Sequence, residues 1–287
     1  MSHRYSQPTA NRAMTHHLRF FGALIVFASI IPHVKAEAQR SDADWLAQCR
    51  ENGYYNRRRE NYCEVREQRM PAPGGTITVD GLRNGGVSVI GADKDSLIVK
   101  TRLQVQAHSQ SEGRDIARQV RTVIRGSTIQ AEGPRDLDDD VSWNVNLIIW
   151  APRRSDLRLS SNNGPVSVED VSGDMELETH NGPLALRAVS GNVRARTQNG
   201  PLSITLTGNK WTGAGLDAET NNGPLALRIP DDYSAHLEAA TTNGPLSLGF
   251  PVTVVGRIGR NISTDLGAGG TTIRAITHNG PLSIDRR

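Results

Sequence analysis

The sequence predicts an all-β chain: a β-solenoid of two-strand coils about 18 residues long, with one short amphipathic helix and a disulfide-containing N-terminal segment. Three observations lead there. The phrase Ser/Thr-x-Asn-Gly-Pro-Leu/Val-Ser/Ala-Leu/Ile/Val is written six times from residue 161 onward, with corners at Asn163, Asn181, Asn199, Asn222, Asn243 and Asn279 and steps of 18, 18, 23, 21 and 36 residues. A period near 20 marks a stacked repeat. Both flanks of each corner alternate apolar and polar residues with period two, as in Leu157/Leu159/Ser161 before Asn163 and Val166/Val168 after it, so each copy reads strand, corner, strand. Finally, Pro follows each Asn-Gly. It has no N–H to close a two-residue hairpin, so an arc between two stacked sheets is favoured over a meander.

Parallel stacking brings equivalent residues about 4.8 Å apart. Five positions before each Asn the outward column reads Arg158, Glu176, Arg194, Asp217, Glu238, Arg274, with signs mostly alternating from copy to copy. The Asn column is suited to a ladder of side-chain amides. On the second strand the outward column is uniformly small: Ser167, Ala185, Ser203, Ala226, Ser247 and Ser283. Such a flat strip suits close docking of another surface, or cover by the helix or cysteine segment of the chain itself.

From the N-terminus, Arg4, Arg12 and Arg19 precede the apolar run Phe20 to Ile31, and Ala36-Glu37-Ala38 supplies small residues, the pattern of a signal peptide cut between Ala38 and Gln39. The apolar run is short for a spanning helix, and no later stretch is apolar for long enough to cross a bilayer as one. Cleavage leaves 249 residues and removes four Lys/Arg and one Glu, so the formal charge of +3 falls to about zero. A nucleic-acid surface is therefore not expected. The expected organisation is 1–38 signal peptide, 39–74 disulfide-containing segment and linker, 75–152 β-rich part with one helix, and 153–287 solenoid.

Cys49 and Cys63 are expected to pair in an oxidising compartment, since no His or further Cys stands near them to make a metal site. The run Arg57 to Glu60 and the interleaved acids that follow read as a solvated, self-paired face. Thr76 to Val79 and Val87 to Ile90 are strands around Asn84-Gly85-Gly86, a degenerate copy of the phrase, and Leu97 to Ala107 is a long strand. Ser109 and Glu112 form a capping box, and Ile116, Val120, Val123 and Ile124 predict an amphipathic helix ending near Gly126. Strands follow at Ser127 to Glu132 and Ser142 to Ile149, separated by the acidic loop of Asp136, Asp138, Asp139 and Asp140. Its spacing fits no calcium-binding loop. The solenoid runs to the end with a looser region from Phe250 to Gly270, and Asp285-Arg286-Arg287 reads as a charged cap on the last open edge.

The run Trp143 to Pro152, the Leu-x-Leu-x-Ser/Thr-x-Asn-Gly phrases, Ile229-Pro230 before Ala235-His236-Leu237, and Leu266 to Gly270 before the last corner together resemble the bacterial putative-adhesin family, a β-strand-repeat domain of unknown function. The lead Tyr62 to Glu67 resembles exported members. The likeness spans roughly residues 75–287, and the Pro after Asn-Gly departs from it. What it implies is a β-solenoid at or outside the cell envelope, with no catalytic residues to carry over.

The residues agree with that implication. His180 and His278 occupy a repeat position held elsewhere by Asn162, Gln198, Asn221 and Thr242, which suits a corner residue rather than a catalytic one. No nucleophile elbow, zinc-protease motif or phosphate loop is present. The sequence thus predicts no enzyme and no cofactor, metal or nucleic-acid site. It predicts instead an exported, periplasmic or extracellular binding or scaffold protein that meets an envelope protein, a glycan or its own copies. The alternative is a polysaccharide lyase or hydrolase using outward acids such as Glu176, Glu178, Asp217 and Glu219, which would need carboxylates free of the neighbouring arginines.

Overall fold

The computed structural model of the chain describes residues 41–54, 59–251 and 259–287; the expected signal peptide and its cleavage point at Ala38 and Gln39 lie outside them. Helix α1 (Asp42–Tyr54) and strand β1 (Glu60–Pro71) come first, then β2 (Ile77–Asp80), β3 (Val87–Ala92), β4 (Ser96–Ala107), helix α2 (Gln110–Gln119), β5 (Arg121–Arg125), β6 (Thr128–Glu132) and β7 (Ser142–Pro152). The six copies of the phrase supply β8 (Leu157–Ser161) with β9 (Val166–Glu169), β10 (Ser172–Thr179) with β11 (Leu184–Arg187), β12 (Ser190–Asn199) with β13 (Leu202–Thr205), β14 (Gly215–Asn222) with β15 (Leu225–Ile229), β16 (Ala235–Asn243) with β17 (Leu246–Leu248) and, after β18 (Asn261–Leu266), β19 (Thr272–Asn279) with β20 (Leu282–Arg286).

First strands of the coils lie in one ten-stranded sheet and second strands in another. Equivalent residues stack in parallel: Leu157, Met175, Val193 and Leu216 are register partners in one sheet, and Val166, Leu184, Leu202 and Leu225 in the other. The degenerate copy joins as a further coil, with Ile77 opposite Leu157 and Val87 opposite Val166. Alternation then sends every second side chain inward, and one continuous apolar core runs between the sheets from Ile77 to Ile284.

The stack does not follow chain order throughout. Copies five and six change places: β19 lies between β14 and β16, and β20 between β15 and β17. The long step before the last corner holds β18, which runs antiparallel to β16 with Ala235 opposite Leu266 and covers its outer edge. The chain then returns through the slot between copies four and five. Charge explains the preference for that slot. In stack order the outward column becomes Arg158, Glu176, Arg194, Asp217, Arg274, Glu238, and the sign alternates at every step. In chain order Asp217 would face Glu238, like charge on like. Instead Arg274 bonds Asp217 and lies 3.7 Å from Glu219.

This order also corrects the expected cap. Asp285 to Arg287 do not sit at an end of the stack, because β20 is flanked on both sides; Arg286 stacks over Phe250 instead, 4.7 Å from the ring centroid. The region from Phe250 to Gly270, expected to be loose, contains β18.

At the other end the solenoid gives way to antiparallel pairing, with β7 against β4 and β4 against β1. The predicted helix is shorter than expected. It stops at Gln119, and residues 121–125 form β5, antiparallel to β6. The β-branched run Thr122-Val123-Ile124 favours a strand, and Gly126, at φ +60, turns the chain back. Ser109 caps α2 by accepting the Glu112 N–H (3.2 Å), while the Glu112 carboxylate takes the N–H of His108 (2.8 Å), one residue outside the usual box. Helix α2 packs on β4 and β1, closing a second core around Leu103, Val105, Ile116 and Val120. From β1, Arg66 donates to the carbonyls of Ala117 and Val120, and Gln68 to Thr122, tying the edges of both sheets to the helix end.

Among its described side chains helix α1 has Trp45, Leu46 and Cys49 as apolar anchors, too few for a stripe, so periodicity did not disclose it. The signal that was present is Ser41, whose hydroxyl accepts the Asp44 N–H (3.0 Å), with Asp42 and Asp44 in the first turn. The Cys49–Cys63 disulfide fastens α1 to β1. Asp42 holds Lys100 (2.7 Å) and Arg102 (3.1 Å), and Arg102 lies over the Trp45 ring, 5.7 Å from its centroid.

Candidate binding surfaces

Four residues of each corner share one mechanical task. The Asn side chains form a continuous amide ladder. Asn163 Nδ2 donates to Asn84 Oδ1 (3.0 Å), and each later rung to the one before it: Asn181 (2.9 Å), Asn199 (2.8 Å), Asn222 (2.8 Å), then Asn279 (2.9 Å) and Asn243 (2.8 Å) in stack order. Two positions earlier, the buried hydroxyls of Thr179, Thr197 and Thr220 donate to the Gly carbonyl of the neighbouring coil at 3.0, 3.1 and 3.0 Å. Gly is demanded by space: a Cβ on Gly182 would lie 2.2 Å from Gly164 O, and one on Gly200 2.1 Å from Gly182 O. The Pro carbonyls accept across coils, from Val166 to Pro183 (3.0 Å) and from Leu184 to Pro201 (2.9 Å). No bond requires the N–H that Pro lacks. Within the ladder an interior rung uses one of its two amide N–H groups and one carbonyl lone pair.

On the second-strand sheet Ser88, Ser167, Ala185, Ser203, Ala226, Ser283 and Ser247 are successive register partners, a straight strip across seven strands. Ser203 is buried, Ser247 is exposed, and the others are half-buried. The Pro column borders the strip on one side, and on the other a column of Glu169, Arg187, Thr205, Arg228 and Asp285. Both helices pack at the far end of this sheet, α1 on β1 and α2 on β1 and β4.

Three of the four outward acids are held by cations, and Glu178 makes no ion pair among the described residues. Arg158 pairs with Glu176 (2.7 Å); Asp217 takes Arg196 (3.3 Å), Arg194 (3.8 Å) and Arg274; and Glu219 accepts from His278 Nε2 (2.8 Å). Such ladders neutralise Glu176, Asp217 and Glu219, so Glu178 has no free carboxylate among these three to work with across a glycosidic bond. Among the described residues no group of three or more His, Cys, Asp or Glu side chains is placed to hold a metal ion. His236 lies between Asp265 (2.7 Å from Nδ1) and Ser263 (3.2 Å from Nε2), the connectivity of an acid, a base and a hydroxyl. Ser263 and Asp265 are exposed on the capping strand β18. The bonds tie that strand to copy five. His108 bridges Glu112 (3.1 Å) and Asp140 (3.0 Å), which hold its imidazole above the ordinary value, Asp140 first.

Sequence reasoning missed one feature. A cavity of about 660 Å³ opens at the head of the Asn ladder, between the arc at Leu82 to Gly85 and the acidic loop, with Trp143 in its wall. Its residues come from segments about 50 positions apart that share no repeat register, so only the degenerate copy at Asn84 hinted at it.

Among curated proteins none matches the chain. Solved structures resemble it at low identity. A putative cell adhesion protein from Clostridium sporogenes is 10% identical, covering 78% of this chain and 100% of that one at a TM-score of 0.40. A putative adhesin from Bacteroides fragilis is 11% identical, covering 79% and 97% at 0.40. A putative lipid binding protein from Parabacteroides distasonis is 11% identical, covering 78% and 96% at 0.30. No helix among the described residues is long and apolar enough to cross a membrane. The model of one family matches residues 94–285, more than half of the chain, and the chain therefore belongs to that family, Toastrack DUF4097.

Proposed function

We propose that this chain is a non-catalytic, exported binding or scaffold protein of the cell envelope, adhesin-like in kind, whose partner lies against the small-residue strip of the second-strand sheet. The observation that carries the reading is the strip itself. Ser88 through Ser283 form a straight face on strands each paired on both sides, Ser247 extends it onto the edge strand β17, and no bulky side chain interrupts the column. A surface ordered before contact loses little entropy on docking. The Cys49–Cys63 disulfide supports export, since such bonds persist in oxidising compartments. The polysaccharide-active alternative gains nothing from the geometry, because Asp217 and Glu219 are bound up in ion pairs with Arg194, Arg196 and Arg274.

The test is retention of the labelled protein on isolated envelopes of the producing cells. Ser203→Arg with Ser247→Arg should abolish retention by the folded protein. Because Ser203 is buried, Ala226→Arg with Ser247→Arg serves as the second variant. Undiminished retention in a folded variant overturns the reading. Protease shaving of intact cells separates a surface adhesin from a periplasmic scaffold.

A further inference from the structure

The amide ladder has a direction. Each rung donates toward the head of the stack, and so do several arc N–H groups, Asn162 to Leu82 O (3.0 Å), Asn163 to Arg83 O (3.0 Å) and Asn181 to Asn162 O (2.7 Å), while Gly223 donates the other way, to Asn279 O (3.1 Å). At the head this series runs out of acceptors. The Asn84 side chain accepts from Asn163, but its own N–H groups, and the backbone N–H groups of Arg83 and Asn84, find no acceptor among the described residues. Aligned amides with free N–H groups at one end make that end electropositive, as at the start of a helix.

The next coil would stack at this place, but the chain leaves the pattern between β6 and β7. The loop at 133–141 stands away and encloses the cavity of about 660 Å³, within the size range of small-ligand sites. Trp143 lines it, its ring fixed by an Nε1–H bond to Pro134 O (2.8 Å). Arg83 and Arg135 line it from the arc and the loop, and Asp138 and Asp139 from the loop alone. None of these four makes an ion pair among the described residues, whereas Arg158, Arg194, Arg196 and Arg274 on the coils all do.

We propose that this cavity binds a carboxylate-bearing saccharide unit, of the uronic-acid type, within an acidic glycan. The carboxylate meets Arg83, Arg135 and the free N–H groups at the ladder head. The apolar face of the pyranose ring lies on Trp143, and its hydroxyls donate to Asp138 and Asp139. An acyl chain would strand those two acids without partners, and a neutral sugar would leave the cationic floor unused. The proposal rests on the reading of the chain as a binding protein but places the ligand on a different surface.

The test is calorimetric titration of the full chain with oligogalacturonate and, separately, with neutral galactose oligomers of equal length. Oligogalacturonate is expected to bind at least tenfold more tightly than the neutral oligomers and to weaken with salt. Arg83→Gln with Arg135→Gln, both exposed, should remove that preference, and Trp143→Ala should weaken both ligands at least tenfold. Equal affinity for acidic and neutral oligomers, or unchanged binding by the double arginine variant, overturns the proposal, as does no binding by the folded protein. The strip variants should bind oligogalacturonate normally. Loss of envelope retention without loss of uronate binding, or the reverse, therefore tells which of the two surfaces has failed.

Discussion

At a single corner, glycine and threonine have separate jobs. The corner glycines do not adopt a left-handed backbone; they are needed because the carbonyl of the neighbouring corner glycine occupies the space of a Cβ. Gly182→Ala should therefore behave as overpacking of a rigid stack, lowering stability by about 1 to 3 kcal/mol. Gly74→Ala, with nothing within 4 Å, should stay within about 0.5 kcal/mol of the parent. Urea melts of the two variants check this, and equal midpoints would show that the corners do not stack. The neighbouring threonines matter for a different reason: Thr179 and Thr197 each supply a hydrogen to the buried carbonyl of a neighbouring corner glycine.

Among the elements, the segment between β15 and β16 carries the chain past the slot later filled by β19. Tyr233 is buried in that connection, and burial pushes its phenol up from 10.0 to about 12. Folding thus favours the neutral ring. The contribution to stability is complete below pH 10 and is lost as pH rises from 10 toward about 12. Phenolate absorbance followed with urea melts across that window should show the loss, and Tyr233→Phe should reduce it. Helix α1 depends on a different anchor. Its apolar contacts are few, so the disulfide, closing a loop with a sequence separation of 14, contributes roughly 3 kcal/mol to holding it on β1. Reduction should raise amide exchange across residues 42–54 and leave exchange in β8 to β15 unchanged. Equal exchange in α1 before and after reduction would mean that the ion pairs of Asp42 suffice.

Across the whole molecule, the exchange of copies five and six makes the C-terminal part an internal support. Deleting residues 251–287 removes β18, β19 and β20, and with them both neighbours of β16 and the partner of β17. The truncated chain should lose amide protection over residues 235–248 as well, although they remain present. A stack laid down in chain order would lose only its final coil. Retained protection at 235–248 would mean that copy five can dock directly on copy four, with Glu238 beside Asp217. Repeat arrays are held by nearest-neighbour interfaces, so removing an interior coil costs two of them.

By itself the sequence determined the coil: Asn-Gly-Pro corners, period-two flanks and alternating charges are local patterns, and each states its own geometry. It also indicated the cysteine pair and the existence of α2. Helix α2 was drawn too long because Val123 and Ile124 fit a helical stripe as well as a strand, and the choice came from pairing with β6. Helix α1 stayed hidden because its hold on the protein comes from a disulfide and two cations on β4. Only the tertiary structure decided which coil lies on which, because corners with the same phrase are interchangeable neighbours in sequence. Their order was settled by long-range terms: the cover that β18 gives β16, and the placement of Arg274 between Asp217 and Glu238.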